Sequence, residues 1–201
     1  MKKHIVSTIM LVCFGVILSS CSKNKVDSLV DIEVTHNTTM VMKDGEMQAA
    51  LVEDFDKEYY DQAELQSFID DTVAQFTKVK GENAVKLEKI SVKDDKKAYA
   101  TFSYNSVENY SAFEDREVAV MDGAAAANDT RIGDTFLAAE GGNEISKADA
   151  IGEKDCKVVI IAANEEDVRV EGQVLSYSNG ELVDKNTVKC GSEGYTVVVF
   201  K

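Results

Sequence analysis

Few residues in this sequence are of a type that could carry out nucleophilic or acid–base chemistry. The chain of 201 residues has two histidines and four cysteines, and His4 and Cys13 lie in an apolar N-terminal segment. A Ser-His-Asp or Cys-His arrangement would have to use His36, and no G-x-S-x-G nucleophile elbow accompanies it. We therefore expect His36 to be a surface residue without a catalytic role.

Metal and cofactor sites also lack their sequence signals. Neither H-E-x-x-H nor paired C-x-x-C occurs, and there is no phosphate-binding glycine loop. In the acidic run 53–58, Asp54, Asp56 and Glu58 alternate as at the start of a calcium loop, but Tyr59 stands where an EF-hand needs glycine. Carboxylates near a helix N-terminus, where the helix dipole favours them, explain the run more simply. The sequence predicts no metal, no cofactor and no enzymatic activity.

One cysteine sits where a covalent modification is expected. Lys2 and Lys3 precede an apolar run from Ile5 to Leu18, and the next residues are Ser19, Ser20 and Cys21. A basic start, a short apolar stretch and small residues are typical of a secretory signal, and 14 apolar residues are too few to span a bilayer comfortably.

The stretch from Leu18 to Cys21, Leu-Ser-Ser-Cys, resembles the bacterial lipobox. This resemblance implies that a diacylglycerol is attached to the Cys21 thiol and that a signal peptidase cuts between Ser20 and Cys21. The resemblance further implies that the freed amine is open to acylation, including by palmitate. Two or more acyl chains hold a protein stably on a membrane. An uncleaved membrane helix, or a signal peptide with a chance cysteine, is the alternative.

Two cysteines remain in the exported part of the chain. Cys156 and Cys190 lie at the edges of strand-like runs, and export places them in an oxidising compartment. The sequence predicts a disulfide between them. Two separate thiols are one alternative, and a redox pair is a weaker one because catalytic dithiols are usually C-x-x-C.

Charge excludes two classes of partner. Because the leader carries two lysines and no acidic residue, its removal takes the formal net charge from −14 to −16. So acidic a protein is unsuited to nucleic acid or to an anionic lipid surface, which both require clustered Lys and Arg. Only Arg116, Arg131 and Arg169 among the 22 basic residues are arginine, and this lysine bias mildly favours a Gram-positive host.

One helix is well specified by its ends. Asp61 and Glu64 form a capping-box pattern, Tyr60 and Leu65 are placed as a hydrophobic staple, and Gly81 follows two lysines at a natural stop. A helix over about 62–80 is therefore predicted, with an apolar face that packs on a sheet. The face consists of Leu65, Phe68, Ile69, Val73, Phe76 and Val79.

The rest of the chain has mainly strand patterns. Asp44-Gly45 predicts a hairpin within 31–54, and Asn179-Gly180 predicts a second one. Alternation slips by one position near Glu88-Lys89, which indicates a bulge. The apolar run 157–163 is typical of a central strand.

These elements predict an α+β class: an antiparallel sheet carrying one main helix, with a β-rich C-terminal third. The expected organisation is a cleaved signal peptide over 1–20, a lipidated tether over 21–30 and a single domain over 31–201. The chain is also similar to uncharacterised lipoproteins of Gram-positive gut bacteria, on the stretches Val168–Gly172 and Val197–Lys201. That resemblance implies the lipoprotein class and assigns no activity.

The function expected from the sequence is that of a lipid-anchored, extracytoplasmic module at the cell envelope, which binds or supports rather than catalyses. A small solute-binding or transporter-accessory lipoprotein is an alternative, although 181 residues after the leader are few for a two-lobed binding protein. A carboxylate-based hydrolase is a second alternative. A deep acidic pocket would favour the hydrolase, and an exposed apolar or tyrosine face would favour an interaction protein.

Overall fold

A computed structural model describes residues 28–201 and arranges their strands in two sheets. The elements, in chain order, are β1 (Thr38–Val41), β2 (Met47–Asp54), α1 (Gln62–Lys80), β3 (Val85–Val92), β4 (Lys97–Tyr104), α2 (Val107–Glu114), β5 (Val118–Asp122), α3 (Gly123–Ala126), β6 (Thr135–Ala138), β7 (Glu144–Ser146), α4 (Lys147–Ile151), β8 (Lys157–Ala162), β9 (Asp167–Val170), β10 (Val174–Ser178), β11 (Gly180–Asp184), β12 (Thr187–Cys190) and β13 (Tyr195–Phe200).

The two sheets confirm the predicted α+β class. The seven-stranded sheet has the order β11-β12-β9-β1-β2-β4-β3, and the six-stranded sheet has the order β5-β8-β13-β10-β6-β7. Within residues 28–201, every pair of neighbouring strands is antiparallel except β1 and β9, which run parallel with Thr39 opposite Val168. The strands thus form two sheets, and helix α1 packs against β3 of the seven-stranded one.

The core lies between the two sheets and beneath the helices. Val41, Met47 and Phe102 of the seven-stranded sheet belong to one buried cluster with Val159 and Val198 of the six-stranded sheet. In β8 the four residues 158–161 are fully buried, because the other face of this strand is covered by a second cluster that includes residues of α3 and α4. The predicted central strand is thus confirmed.

Helix α1 begins and ends at the predicted residues. The Asp61 carboxylate accepts hydrogen bonds from the backbone N–H groups of Ala63 and Glu64 at 2.8 and 3.0 Å, and Gly81 ends the helix with a φ of +113°. The predicted apolar face is only partly covered. Ile69, Val73 and Phe76 pack on the core, whereas the side chains of Phe68 and Val79 are exposed.

Two other local predictions are confirmed. The first hairpin turns at Asp44-Gly45, where the glycine has a φ of +92° and the Asp44 carboxylate accepts a hydrogen bond from the Glu46 N–H. The β3–β4 register shifts between Leu87 and Lys89, as the interrupted alternation indicates.

The predicted hairpin at Asn179-Gly180 is wrong. Strand β10 pairs with β13 and β6 in one sheet, and β11 pairs with β12 in the other, so the chain changes sheets here. Asn179 has the positive φ that the signal suggested, +52°, but Gly180 does not, and a type I′ turn needs both. The Asn179 amide instead donates to the carbonyls of Glu193 and Tyr195 at 2.8 and 3.1 Å and fixes the corner.

The predicted disulfide is also wrong, because Cys156 and Cys190 are both free, buried thiols. Cys156 belongs to the cluster on the outer face of the six-stranded sheet, whereas Cys190 belongs to the core between the sheets. The sheet itself separates them. Burial raises the pKa of both thiols, which lowers the fraction of reactive thiolate.

Within the described residues, packing extends at least to Leu29, which lies in the stretch that the sequence assigns to the tether. Leu29 is buried against Met40 and Ala50 on the outer face of the seven-stranded sheet, and the Gln48 side chain accepts hydrogen bonds from Ser28 and the Leu29 N–H. The predicted cleavage and lipidation residues, Ser20 and Cys21, lie outside the described residues.

A buried arginine connects the two sheets. The Arg116 guanidinium donates two hydrogen bonds to the Ala162 carbonyl of β8, at 3.1 and 2.9 Å. It also contacts the seven-stranded sheet through the Thr39 hydroxyl at 3.4 Å and the Cys190 thiol at 3.8 Å. Its charge is balanced by Glu166, whose carboxylate lies 2.7 Å from Nη1.

Replacing this arginine is expected to destabilise the whole fold. Removing one partner of a buried ion pair typically costs 3–5 kcal/mol, so we expect Arg116→Ala to lower the free energy of unfolding by about 3 kcal/mol in urea titrations. Lys86→Ala removes an exposed pair with Glu88 and serves as the control, with an expected loss below about 1 kcal/mol. Equal losses for the two variants would contradict the assigned role.

Candidate functional site

An apolar groove lies between the first half of α1 and the inner face of the seven-stranded sheet. Its volume is about 250 Å³. Leu65, Phe68 and Ile69 form the helical wall, and the floor consists of residues from β2, β3 and β4. The floor residues include Leu51, Ile90, Ala98, Ala100 and Phe102.

The groove exists because α1 covers its part of the sheet incompletely. No residue of α1 is fully buried, and Phe68 is 69% exposed at the edge of the groove. Small side chains at Ala98 and Ala100 leave space beneath the helix that a larger residue would fill. An open space with such an apolar lining is the usual form of a site for an apolar ligand.

Aromatic side chains lie on the surface that adjoins one end of the groove, where Leu65 and Phe68 belong to both, and we call this surface the mouth. Tyr59 and Tyr60 are 76% and 42% exposed, and their rings lie 5.0 Å apart edge to face. The Phe55 ring lies 4.9 Å from that of Tyr60. Together with Phe68 they form an exposed aromatic face, and contiguous apolar surface of this kind indicates a binding site.

The mouth is built by the segment that connects β2 to α1. The Phe55 N–H donates to the Lys96 carbonyl at 2.7 Å, which fastens the segment to the β3–β4 turn. The Tyr60 N–H donates to the Lys57 carbonyl at 3.1 Å and closes a turn directly before the Asp61 cap. These bonds place both tyrosines beside the first turn of the helix.

Carboxylates make the mouth strongly negative. Two of its acids are paired, Asp54 with Lys97 at 2.8 Å and Asp56 with Lys57 at 2.9 Å. Four other acids lie in or beside this segment, and within residues 28–201 none of them forms an ion pair with Lys or Arg; these are Glu53, Glu58, Asp61 and Glu64. Asp61 caps the helix, so Glu53, Glu58 and Glu64 supply the excess charge.

A partly buried acid, Glu114, lies at the inner end of the groove. The Tyr104 hydroxyl donates a hydrogen bond to the Glu114 carboxyl, and both groups are largely withdrawn from water. Burial raises the pKa of Glu114, and the nearby negative charge of Glu166 raises it further. The hydrogen bond from Tyr104 and the positive charge of Arg116 lower it by less. Burial likewise raises the pKa of Tyr104.

The residues singled out from the sequence do not come together at this groove. His36 is exposed, with its ring Nδ1 2.9 Å from the Thr35 hydroxyl. The acidic run 53–58 does contribute to the mouth. Among residues 28–201, no group of three or more His, Cys, Asp or Glu side chains is arranged to hold a metal ion.

The sequence does not predict the groove, although it singles out several of the residues in and around it. The sequence predicts that Tyr60 and Leu65 pack on each other as a staple and places Phe68 on a covered face, whereas Phe68 is exposed. The available signal was the neighbouring pair Tyr59-Tyr60 next to Phe55 in an otherwise polar segment. That signal indicates exposed aromatic surface, but the depth of the groove depends on the distance between helix and sheet.

The fold and this site define an α+β protein with two facing sheets and an apolar groove under one helix. Comparison of the chain with protein families, curated proteins and solved structures finds no match. None of the helices within residues 28–201 is long and apolar enough to cross a membrane. Proposals about function therefore depend on the geometry and the sequence.

The Glu114 environment predicts a pH dependence of stability. Because the pKa of Glu114 is raised on folding, the folded state binds its proton more tightly than the unfolded state does, and this stabilisation is lost as pH rises through the folded-state pKa. Glu114→Gln mimics the protonated acid. We expect chemical denaturation to show the variant gaining stability relative to the parent chain as pH rises from 4.5 to neutral.

The exposed acid Glu140 provides the control, since Glu140→Gln should show no such trend. A Glu114→Gln variant whose stability follows the parent at every pH would contradict the assigned environment.

Proposed function

We propose that this protein is an extracytoplasmic lipoprotein of the cell envelope, anchored through lipid on Cys21, and that its domain is a non-catalytic binding module. The observation that carries the binding role is the apolar groove, with its exposed aromatic mouth. The aromatic mouth is suited to binding, because Tyr and Phe side chains supply a large contact area at small entropic cost.

The anchor is supported by the sequence from Lys2 to Cys21. The basic start, the short apolar run and the lipobox-like Leu-Ser-Ser-Cys occur in the order that the modification requires. From Cys21 to Ser28 the chain spans at most about 25 Å. The domain would therefore stay close to the bilayer while its negative charge keeps it off an anionic surface.

The non-catalytic assignment is supported by the states of the reactive groups. Both thiols are buried with raised pKa values, and His36 is exposed with Thr35 as its hydrogen-bonding neighbour. The groove is lined mainly by carbon, and the partly buried Glu114 carboxyl at its inner end accepts a hydrogen bond from Tyr104. These groups can recognise a ligand by contact, and their arrangement favours binding over bond cleavage.

The anchor is tested by modification and fractionation. In the native host, mass spectrometry of the membrane fraction is expected to show a chain that begins at an acylated Cys21, and Cys21→Ala should remove the acyl group. Cys13→Ala, which changes the leader cysteine, is the matched control and should remain acylated at Cys21. Recovery of an intact Met1, or of an unmodified Cys21, would refute the proposed anchor.

The groove is tested with a neutral apolar probe. An engineered cavity of about 150 Å³ holds benzene, so by proportion the groove has room for about ten carbon atoms. We expect 1-decanol to bind the chain from residue 21 carrying Cys21→Ala, as measured by calorimetry. Phe68→Ser should weaken binding about five-fold because a ring at the edge of the groove is lost.

Val79→Ser provides the matched control. Val79 is also exposed on α1 but does not line the groove, so the substitution should leave decanol binding unchanged. Absence of decanol binding, or equal losses in both variants, would count against the groove as the binding site.

A further inference from the structure

We propose that the ligand of the groove is a cationic amphiphile, with an apolar body of about ten carbon atoms in the groove and a positively charged head group at the mouth. This inference depends on the proposed role of the groove as a binding site and adds the chemistry of the ligand.

The apolar body is required by the lining. Side chains of α1, the sheet and α2 present carbon along the groove, from Leu51 and Ile90 to Phe102 and Phe113.

Two polar groups of the lining are already engaged, since the Glu114 carboxyl accepts a hydrogen bond from Tyr104 and the Thr72 hydroxyl donates to a backbone carbonyl. A polar group placed against the apolar part of the lining would lose its hydrogen bonds to water without replacement. The charged or polar part of a ligand must therefore lie outside the groove, at the open end where Phe68 is exposed.

The charge of the head group is set by the mouth. Glu53 lines both the groove and the adjoining surface around Tyr59 and Tyr60, and Glu64 lines that adjoining surface. Among the described residues, neither Glu53 nor Glu64 forms an ion pair with a lysine or arginine. An anionic head group would be repelled there, and a cation would be attracted.

The aromatic rings favour the same sign of charge. A cation over the face of a tyrosine or phenylalanine is attracted by the ring quadrupole, and quaternary ammonium groups are recognised by several such rings together. Tyr59, Tyr60 and Phe55 pack on each other, with centroids 4.9 and 5.0 Å apart, and the exposed tyrosine rings offer their outer surfaces to a cation.

The positive end of α1 does not reverse this preference. A helix N-terminus carries about half an elementary charge, and the Asp61 carboxylate already accepts hydrogen bonds from two of its N–H groups. The remaining acids Glu53, Glu58 and Glu64 outweigh it. The site therefore combines an apolar groove with a mouth that is aromatic and negatively charged.

The test compares three probes that share a ten-carbon chain and differ in the head group. Decyltrimethylammonium, 1-decanol and decyl sulfate are titrated by calorimetry, below their aggregation concentrations, into the chain from residue 21 with Cys21→Ala. This chain is soluble without detergent under the proposal and retains every residue that the structure describes. We expect the cation to bind at least ten-fold more tightly than decyl sulfate, with an affinity that falls as salt is added.

Two double variants separate local from overall charge. Glu53→Gln with Glu64→Gln should weaken binding of the cation about five-fold and leave decanol binding unchanged. The matched pair Glu140→Gln with Glu144→Gln changes the net charge equally at exposed positions away from the groove and should leave both affinities unchanged. Urea unfolding verifies that each variant is folded.

The outcomes distinguish failure of this inference from failure of the proposed function. If decanol binds and the cation shows no advantage over decyl sulfate, the cationic preference is overturned while the groove remains a binding site. If none of the three probes binds, both are overturned. Self-association of the chain that is lost in Phe68→Ser and unaffected by the cation would show that a second copy occupies the groove, and this too would overturn the inference.

Discussion

The rest of the structure depends on the buried guanidinium of Arg116. It connects the Ala162 carbonyl of the six-stranded sheet with Thr39 and Cys190 of the seven-stranded sheet, and Glu166 balances its charge. A buried charge is tolerated only when it is paired and its donors are satisfied. This requirement fixes how the two sheets face each other. It also fixes the link from β8 to β9, because Glu166 lies in that link.

The groove follows from how the inner face of the seven-stranded sheet is covered. Strands β9 and β1 of this sheet carry core residues that pack against the six-stranded sheet. Strands β4 and β3, at the far edge of the same sheet, are covered by α1 and α2 instead. A helix meets a sheet along a narrower stripe than a second sheet does. Ile69, Val73 and Phe76 supply that stripe, and Phe68 remains at its edge. A partly open apolar space beneath the first half of α1 is the result.

Local signals in the sequence were reliable where the interaction that determines the structure is itself local. The Asp61 cap and the Gly81 end of α1 involve neighbouring residues, and so does the Asp44-Gly45 turn. Asn179-Gly180 misled because the partner strands, and not the turn residues, decide whether two strands pair. The disulfide failed for a similar reason: Cys156 and Cys190 end on opposite faces of a sheet, which spacing along the chain does not reveal.

The sequence by itself determined the α+β class, the limits of the main helix and the acidity of the chain, and it supplied the expectations of a lipid on Cys21 and of no nucleic-acid partner. These depend on composition, periodicity and short motifs. Tertiary structure alone decided that there are two sheets, that the thiols are apart, and that Phe68 lies at the edge of an apolar groove with Tyr59 and Tyr60 on the adjoining surface. The physical reason is that a groove is a space between elements distant in sequence. Its size depends on how closely a helix and a sheet approach, and their packing against the whole core sets that distance.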